Sequence, residues 1–372
     1  MTSQPVIFYK SSSLVPPAPA APAPAPAPAR KIKKAFTRRR GDRSQQIRTA
    51  VQVFFSLITV WVGVQFWLWV RYFEHGGTTL RVERPDGVEA WLPIASLMNL
   101  KTFLVTHRVP EAHAAGMFML IAFLAISFLY RKAFCSWVCP VGMLNEWMWQ
   151  TGRTLFGRTF ALPRWLDIPL RGLKYILLAL FLFVVVTMSV EDINAFLNSP
   201  YGLVADVKML NFFRYMGEGT AIFLVVLLGL SLVVKNVWCR YLCPYGALMG
   251  LTALVSPTRI VRDPAACIDC DKCTKACPAG LPVATLLSVH SAECTACMSC
   301  VAVCPAEKAL DLKTGIGVRS AVVQPWALAV GIFVLFLGIV GYARVAGYWH
   351  TSLPDHVYFQ VVPNAAEYEH PR

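Results

Sequence analysis

The chain has 372 residues, 56% of them hydrophobic and only 15% charged, with a mean hydropathy of +0.51 and a formal net charge of +14. Soluble domains carry about a quarter charged residues, so this balance excludes an ordinary soluble domain and indicates a membrane protein.

In chain order, residues 16–30 read PPAPAAPAPAPAPAR, a polyproline-type spacer with no apolar face to bury. The basic run RKIKKAFTRRRGDR follows at 30–43. Standing directly before a first apolar segment, it reads as a topology signal in preference to a nucleic-acid-binding patch. No signal peptide is expected, because the tail resembles no apolar region with a cleavage site. Apolar runs then occupy 49–70, 114–130, 175–190, 219–234 and 321–343. About 20 helical residues span the hydrocarbon core, so the first and last suffice alone. The middle three require helical extension, with Lys174 and Lys235 snorkelling at the ends. Five membrane helices are expected. Lys plus Arg number ten in the N-terminal tail, seven in 131–174 and nine in 235–320, against four in 72–113 and two in 191–218. The positive-inside rule therefore puts the tail and the 131–174 and 235–320 connections in the cytoplasm, and the C-terminus outside.

All twelve cysteines fall on segments placed inside, where thiols stay reduced and ligation or redox chemistry is favoured over disulfides. CIDCDKCTKACP supplies Cys267, Cys270, Cys273 and Cys277, and CTACMSCVAVCP supplies Cys294, Cys297, Cys300 and Cys304. Each is the C-x2-C-x2-C-x3-C-P run of two-cluster bacterial ferredoxins, in which the fourth cysteine ligates the other cluster. One [4Fe-4S] cluster is thus assigned to Cys267, Cys270, Cys273 and Cys304, and a second to Cys294, Cys297, Cys300 and Cys277. Zinc frameworks pair C-x2-C with C-x2-C, and do not show four cysteines ending in proline twice. Lying between the fourth and fifth helices, the ferredoxin run cannot diffuse as a free carrier.

FCSWVCPVGML at 134–144 and WCRYLCPYGAL at 238–248 share aromatic-C-x3-C-P-x-G-x-L, while RPDGVEA at 84–90 and SPYGLVA at 199–205 share P-x-G-[VL]-x-A. The chain thus reads as a duplicated two-helix unit with parallel topology, related by a pseudo-two-fold axis along the membrane normal. Cysteines at i and i+4 share a helix face, and Pro140 and Pro244 are expected to end each turn. Cys135, Cys139, Cys239 and Cys243 can then converge to ligate a third metal centre, to act as redox dithiols toward a partner or quinone, or simply to pack the contact.

At these residues the sequence resembles the membrane-bound polyferredoxins. It is similar to the ferredoxin-type protein H of periplasmic nitrate reductase systems, to the C-terminal half of the nitrous oxide reductase regulatory flavoprotein and to the copper-reducing oxidase-assembly ferredoxin. The resemblance covers about residues 50–320. It implies electron exchange with the quinone pool and two [4Fe-4S] clusters on the cytoplasmic side. No covalent FMN attachment sequence of the S/T-G-A-T kind is present, and the residues after Ala343 are too few for the extra domain of the copper-reducing branch.

Glu89, Asp206, Glu111, His107 and His113 are candidate proton acceptors for a quinol, with solvated interfacial roles the commoner outcome. The tryptophans, Trp137 among them, read first as an interfacial belt. Haem, nucleotide and zinc-hydrolase patterns are absent.

The expected fold is an all-α membrane protein with five transmembrane helices and a duplicated two-helix unit, carrying an inserted α+β two-cluster ferredoxin domain. Its parts are a disordered Pro/Ala-rich and basic cytoplasmic tail (1–48), a four-helix membrane domain (49–258), the ferredoxin domain (259–318), the fifth helix (319–345) and an extracytoplasmic tail (346–372). The expected function is single-electron transfer between a membrane donor and an acceptor in the inner membrane, as a carrier or an oxidoreductase component and not a stand-alone catalyst. The partners are the membrane and either the quinone pool or a membrane or extracytoplasmic redox protein, with no nucleic acid. The alternative is a copper-reducing or copper-binding assembly factor for a respiratory metalloenzyme.

Overall fold

The computed structural model describes residues 37–38, 41–160, 162–315, 320–351 and 353–370, so the Pro/Ala spacer and most of the basic run lie outside the described residues. Helix α1, Ser44–Glu74, is followed by a short 3-10 helix, Asp86–Trp91, then α2, Pro93–Thr106, and α3, Ala114–Tyr130. A π turn at Phe134–Val138 leads into α4, Pro140–Phe156, and then α5, Arg164–Thr187. Three short helices follow, α6 (Val190–Leu197), α7 (Pro200–Leu203) and α8 (Ala205–Arg214), before α9, Glu218–Val233. A second π turn, Trp238–Leu242, opens α10, Pro244–Leu254. The ferredoxin segment comprises β1 (Thr258–Arg262), α11 (Lys272–Ala276), α12 (Ser299–Ala302), β2 (Leu310–Thr314) and β3 (Ala321–Val322). It leads into α13, Pro325–Val345, and α14, Asp355–Val361.

Among the described residues three helices are long and apolar enough to cross a membrane: α1, α5 from Trp165, and α13. The pair α8 and α9 passes the same test only together, bent by 80° at the break. At 17 residues α3 reaches only ~25 Å, short of the ~30 Å core. It is apolar on every side because it lies inside the bundle, with Ala115, Met117, Leu120, Ala122 and Ile126 fully buried.

The lysines expected to snorkel do otherwise. Lys174 extends the third apolar run inside α5, but its ammonium is buried 2.6 and 2.7 Å from the two Glu293 oxygens, because a carboxylate satisfies it better than a distant interface. Helix α9 stops at Val233 without extending through Lys235, whose ammonium donates to the Lys275 carbonyl and lies over the Trp149 ring. The fifth run starts as strand β3, and its helix begins only at Pro325.

Strands β1 and β2 pair antiparallel from Thr258↔Thr314 to Arg262↔Leu310, and β3 adds to the other edge of β2. The ferredoxin segment does not hang on tethers. Its Val283, Val301, Leu310 and Leu312 share one continuous core with Met117, Leu120 and Phe123 of α3 and with Trp137.

Helices α4 and α9 touch at Gly152, where an added Cβ would sit 1.7 Å from the Leu232 carbonyl oxygen. Gly152→Ala forces the two helices apart, and overpacking of this kind costs about 1–3 kcal/mol. Thermal unfolding of the purified protein in detergent is expected to show a lower midpoint for Gly152→Ala; an equal midpoint would mean that the helices are not in this contact.

Candidate functional site

The two ferredoxin runs fold into the same loop. In each, the residues flanking the second cysteine carry positive φ although none is glycine: Asp269 (53°) and Asp271 (58°) in one, Ala296 (48°) and Met298 (57°) in the other. Left-handed residues alternating with right-handed ones turn successive N–H groups toward one concave side, a form that accepts anionic sulfur, and the strain is held only where surroundings enforce it. Each loop borders a cavity. One is lined by Cys267, Cys270, Cys273 and Cys304, the other by Cys294, Cys297, Cys300 and Cys277, so each joins three cysteines of one run to the fourth of the other. The remaining walls of the second are largely apolar, including Ile260, Leu281, Val283 and Val289. Among the described residues no three His, Cys, Asp or Glu side chains converge as for a single metal ion.

The C-x3-C-P segments differ from the expected helix turn. Cys139 N–H donates to Phe134 O (2.9 Å) and Cys243 N–H to Trp238 O (3.0 Å), five residues back in each case. Pro140 and Pro244 do not end the structure; each occupies the first turn of the next helix, where its missing N–H is no loss. The preceding cysteines are thus N-cap residues, and Cys243 Sγ accepts from Gly246 N–H at 3.2 Å. The turn needs glycine behind it, since a Cβ on Gly142 would lie 2.1 Å from the Cys135 carbonyl oxygen. Cys135, Cys139, Cys239 and Cys243 come together closely enough to interact electrostatically with one another, beside Lys132 and Tyr245. Asn145 of α4 donates to Cys239 Sγ across the two halves (3.7 Å). Burial pushes the Cys135 thiol to about 12 and Cys139 to about 11, so without a bound cation they are poor nucleophiles at neutral pH.

The intervening residues of the two segments anchor to different neighbours. In the first, Ser136 Oγ donates to Thr295 O (2.6 Å) and Trp137 Nε1 to Ala296 O (3.1 Å), both carbonyls between Cys294 and Cys297. Trp137 is fully buried, which removes it from the interfacial belt. In the second, Arg240 and Tyr241 both bond Asp167 of α5, at 2.8 and 2.7 Å. Glu293, adjacent to Cys294, accepts from Lys174 and Tyr175. Burial favours its neutral acid, but Lys132 and Lys174 outweigh that and hold the carboxyl below its usual range. Lys132, Asn145, Tyr245 and Glu293 were not singled out in the sequence, where no motif marks them.

At the opposite end, three of the five proton-acceptor candidates meet. Arg84 bonds Asp86 (3.0 Å), Glu89 (2.9 Å) and Asp206 (2.7 Å), joining the two P-x-G repeats. His113 faces two acceptors, Glu89 Oε1 at 3.3 Å and the Gly202 carbonyl at 2.9 Å, and Gly116 N–H donates to Glu89 Oε2. The segment after α13 closes the network, with His350 on Asp86 (2.7 Å) and Thr351 on Glu89 (3.2 Å). Glu111 and His107 are exposed and take no part. Burial would raise the Glu89 carboxyl, but Arg84 and His113 prevail and hold it at about 2. A depressed carboxyl contributes stability that is complete above its ordinary value of 4.5 and is lost as pH falls toward 2. Glu89→Gln is therefore expected to lower the unfolding temperature at neutral pH and to flatten its decline below pH ~4.5. Parallel pH curves for parent and variant would contradict this.

Comparisons with known proteins follow the same residues. The family described as "4Fe-4S binding domain" matches twice, at 112–161 and 218–261, each match enclosing one C-x3-C-P segment, and the family described as "4Fe-4S dicluster domain" matches 259–305. YccM of Escherichia coli (strain K12), named as a candidate electron transport protein, is 46% identical over 321 residues, covering 86% of this chain and 90% of its own. The ferredoxin-type protein NapH of Escherichia coli (strain K12) is 27% identical over 60% of this chain and 71% of its own. The methylamine utilization ferredoxin-type protein MauN of Paracoccus denitrificans (strain Pd 1222) is 30% identical over 40% of this chain and 48% of its own. No solved structure matches. With the cysteine runs, apolar helices and a relative aligned along nearly its whole length, the chain belongs to the membrane polyferredoxin family.

Proposed function

We propose that the protein transfers single electrons between a membrane donor and an acceptor through iron–sulfur clusters fixed at the membrane edge. The observation that carries this reading is the pair of cavities, each lined by three cysteines of one run and the fourth of the other. Cys267, Cys270, Cys273 and Cys304 would hold one [4Fe-4S] cluster, and Cys294, Cys297, Cys300 and Cys277 the second. Such a cluster, when bound, takes up or gives up one electron without breaking a covalent bond in the protein. The side chains around the cavities exclude water and orient the loops.

Cys135, Cys139, Cys239 and Cys243 would hold a third [4Fe-4S] cluster, a reading supported by the "4Fe-4S binding domain" match over each of the two segments. Ser136 and Trp137 fasten this site to the Cys294 loop, whereas Cys270 is exposed. The chain thus sets an order of membrane site, Cys294 set, then Cys267 set, with an acceptor at the Cys270 edge if electrons leave the membrane. A quinol is the donor that suits a protein of this apolar character. The architecture would be five spans built on a duplicated two-helix unit, with α3 and the bent α8–α9 pair completing the count. The domain boundaries would be those expected from the sequence, with the ferredoxin on the cytoplasmic side of the inner membrane and α14 outside.

Anaerobic iron and sulfide quantitation tests the cluster count. About twelve irons are expected in the parent, and about eight after Cys→Ser at 135, 139, 239 and 243 together. Eight in both would remove the third cluster, and copper bound stoichiometrically at these thiols would favour the assembly-factor reading instead.

A further inference from the structure

Arg131 follows the last residue of α3 and turns the chain with φ +58°, an unusual angle for a side chain of this size. The residue has 0% exposure, making it one of the largest fully buried side chains in the protein. Its backbone N–H bonds Ser256 Oγ (3.1 Å), and Nη2 donates to the Ser291 carbonyl (2.6 Å). The other two guanidinium nitrogens, Nε and Nη1, have no hydrogen-bond partner among the described residues. A buried cation with unused donors is unfavourable unless an anion completes it. The same Ser291 carbonyl accepts from Cys294 N–H (3.1 Å), which sets the guanidinium beside a residue that lines the second ferredoxin cavity, while the nearby cation Arg259 only adds repulsion.

We propose that Arg131, a residue of the membrane bundle, is the charge partner of the cluster in the Cys294 set, donating to its sulfur and making that cluster more readily reduced than it would be without it. This rests on the cluster assignment proposed above. Adding one electron reduces one ferric to one ferrous iron and leaves the cluster one unit more negative, with no proton required. A fixed guanidinium stabilises that added charge, and hydrogen bonds to sulfur and net charge are the levers that set such potentials. Arg131 bonds the Ser291 carbonyl in the approach to Cys294, so the effect is expected at that cluster alone.

The test is a potentiometric EPR titration of the full-length protein, with the two signals assigned by Cys270→Ser and Cys297→Ser. In Arg131→Gln with unchanged iron, the Cys294-set cluster is expected to become about tenfold harder to reduce, about 59 mV for one electron, with the other cluster unmoved. Arg131→Lys should fall between, keeping the charge and losing the fork. No shift, or an equal shift of both clusters, overturns the proposal. The parent protein labelled with 15N-arginine gives a reading that survives any failure of the variants to fold: pulsed EPR of the reduced Cys294-set cluster should show a 15N coupling, and its absence also overturns the proposal. Fewer than about eight irons in the parent would instead overturn the cluster assignment itself.

Discussion

Two side-chain donors, Ser136 Oγ and Trp137 Nε1, hold the first C-x3-C-P segment against the carbonyls of Thr295 and Ala296, and the proposed route for electrons depends on that attachment. Electron transfer between centres needs short, fixed and dry separations. Here the residues between two membrane-edge cysteines are bonded to the residues between two ferredoxin cysteines. Trp137 fills the space and excludes water, while Lys174 and Glu293 close the same seam with a buried ion pair. The equivalent positions of the second segment, Arg240 and Tyr241, turn instead to Asp167. The residues between the first pair of cysteines therefore bond the ferredoxin loop, while those between the second pair brace α5.

The architecture concentrates its unfavourable features where chemistry is expected. Four left-handed residues that are not glycine flank cysteines of the ferredoxin loops, two π turns carry the membrane-edge thiols, and a buried arginine leaves two donors open beside Cys294. Each is unfavourable taken alone. The continuous core running from α3 into the ferredoxin sheet offsets them, and bound clusters would satisfy what the protein leaves open. At the far end, the Arg84 network is instead satisfied internally and capped by the segment carrying His350. It ties the two P-x-G turns into one block, at the end opposite the C-x3-C-P cysteines.

Much of this could be read in the chain beforehand, because ligand spacing is local. The C-x2-C-x2-C-x3-C-P runs and the repeated C-x3-C-P segments declare themselves within a dozen residues. What stayed hidden depends on partners far along the chain. Lys174 looked like a helix-end lysine because its partner, Glu293, lies 119 residues away. His350 reaches Asp86 across 264 residues. Pro140 and Pro244 were read as stops because proline breaks a helix it interrupts; the π turn before each makes it a start. The short second run was expected to lengthen, and α3 instead remains short because the bundle surrounds it on all sides.

The most direct measurement is the rate at which the ferredoxin clusters are reduced in sealed membranes by a lipid-soluble quinol, compared between the parent and the variant carrying serine at 135, 139, 239 and 243. The account predicts prompt reduction in the parent. In the variant it predicts clusters that dithionite still reduces but the quinol does not. Equal quinol-driven rates in the two proteins would contradict it, since electrons would then reach the ferredoxin without passing the membrane-edge cysteines.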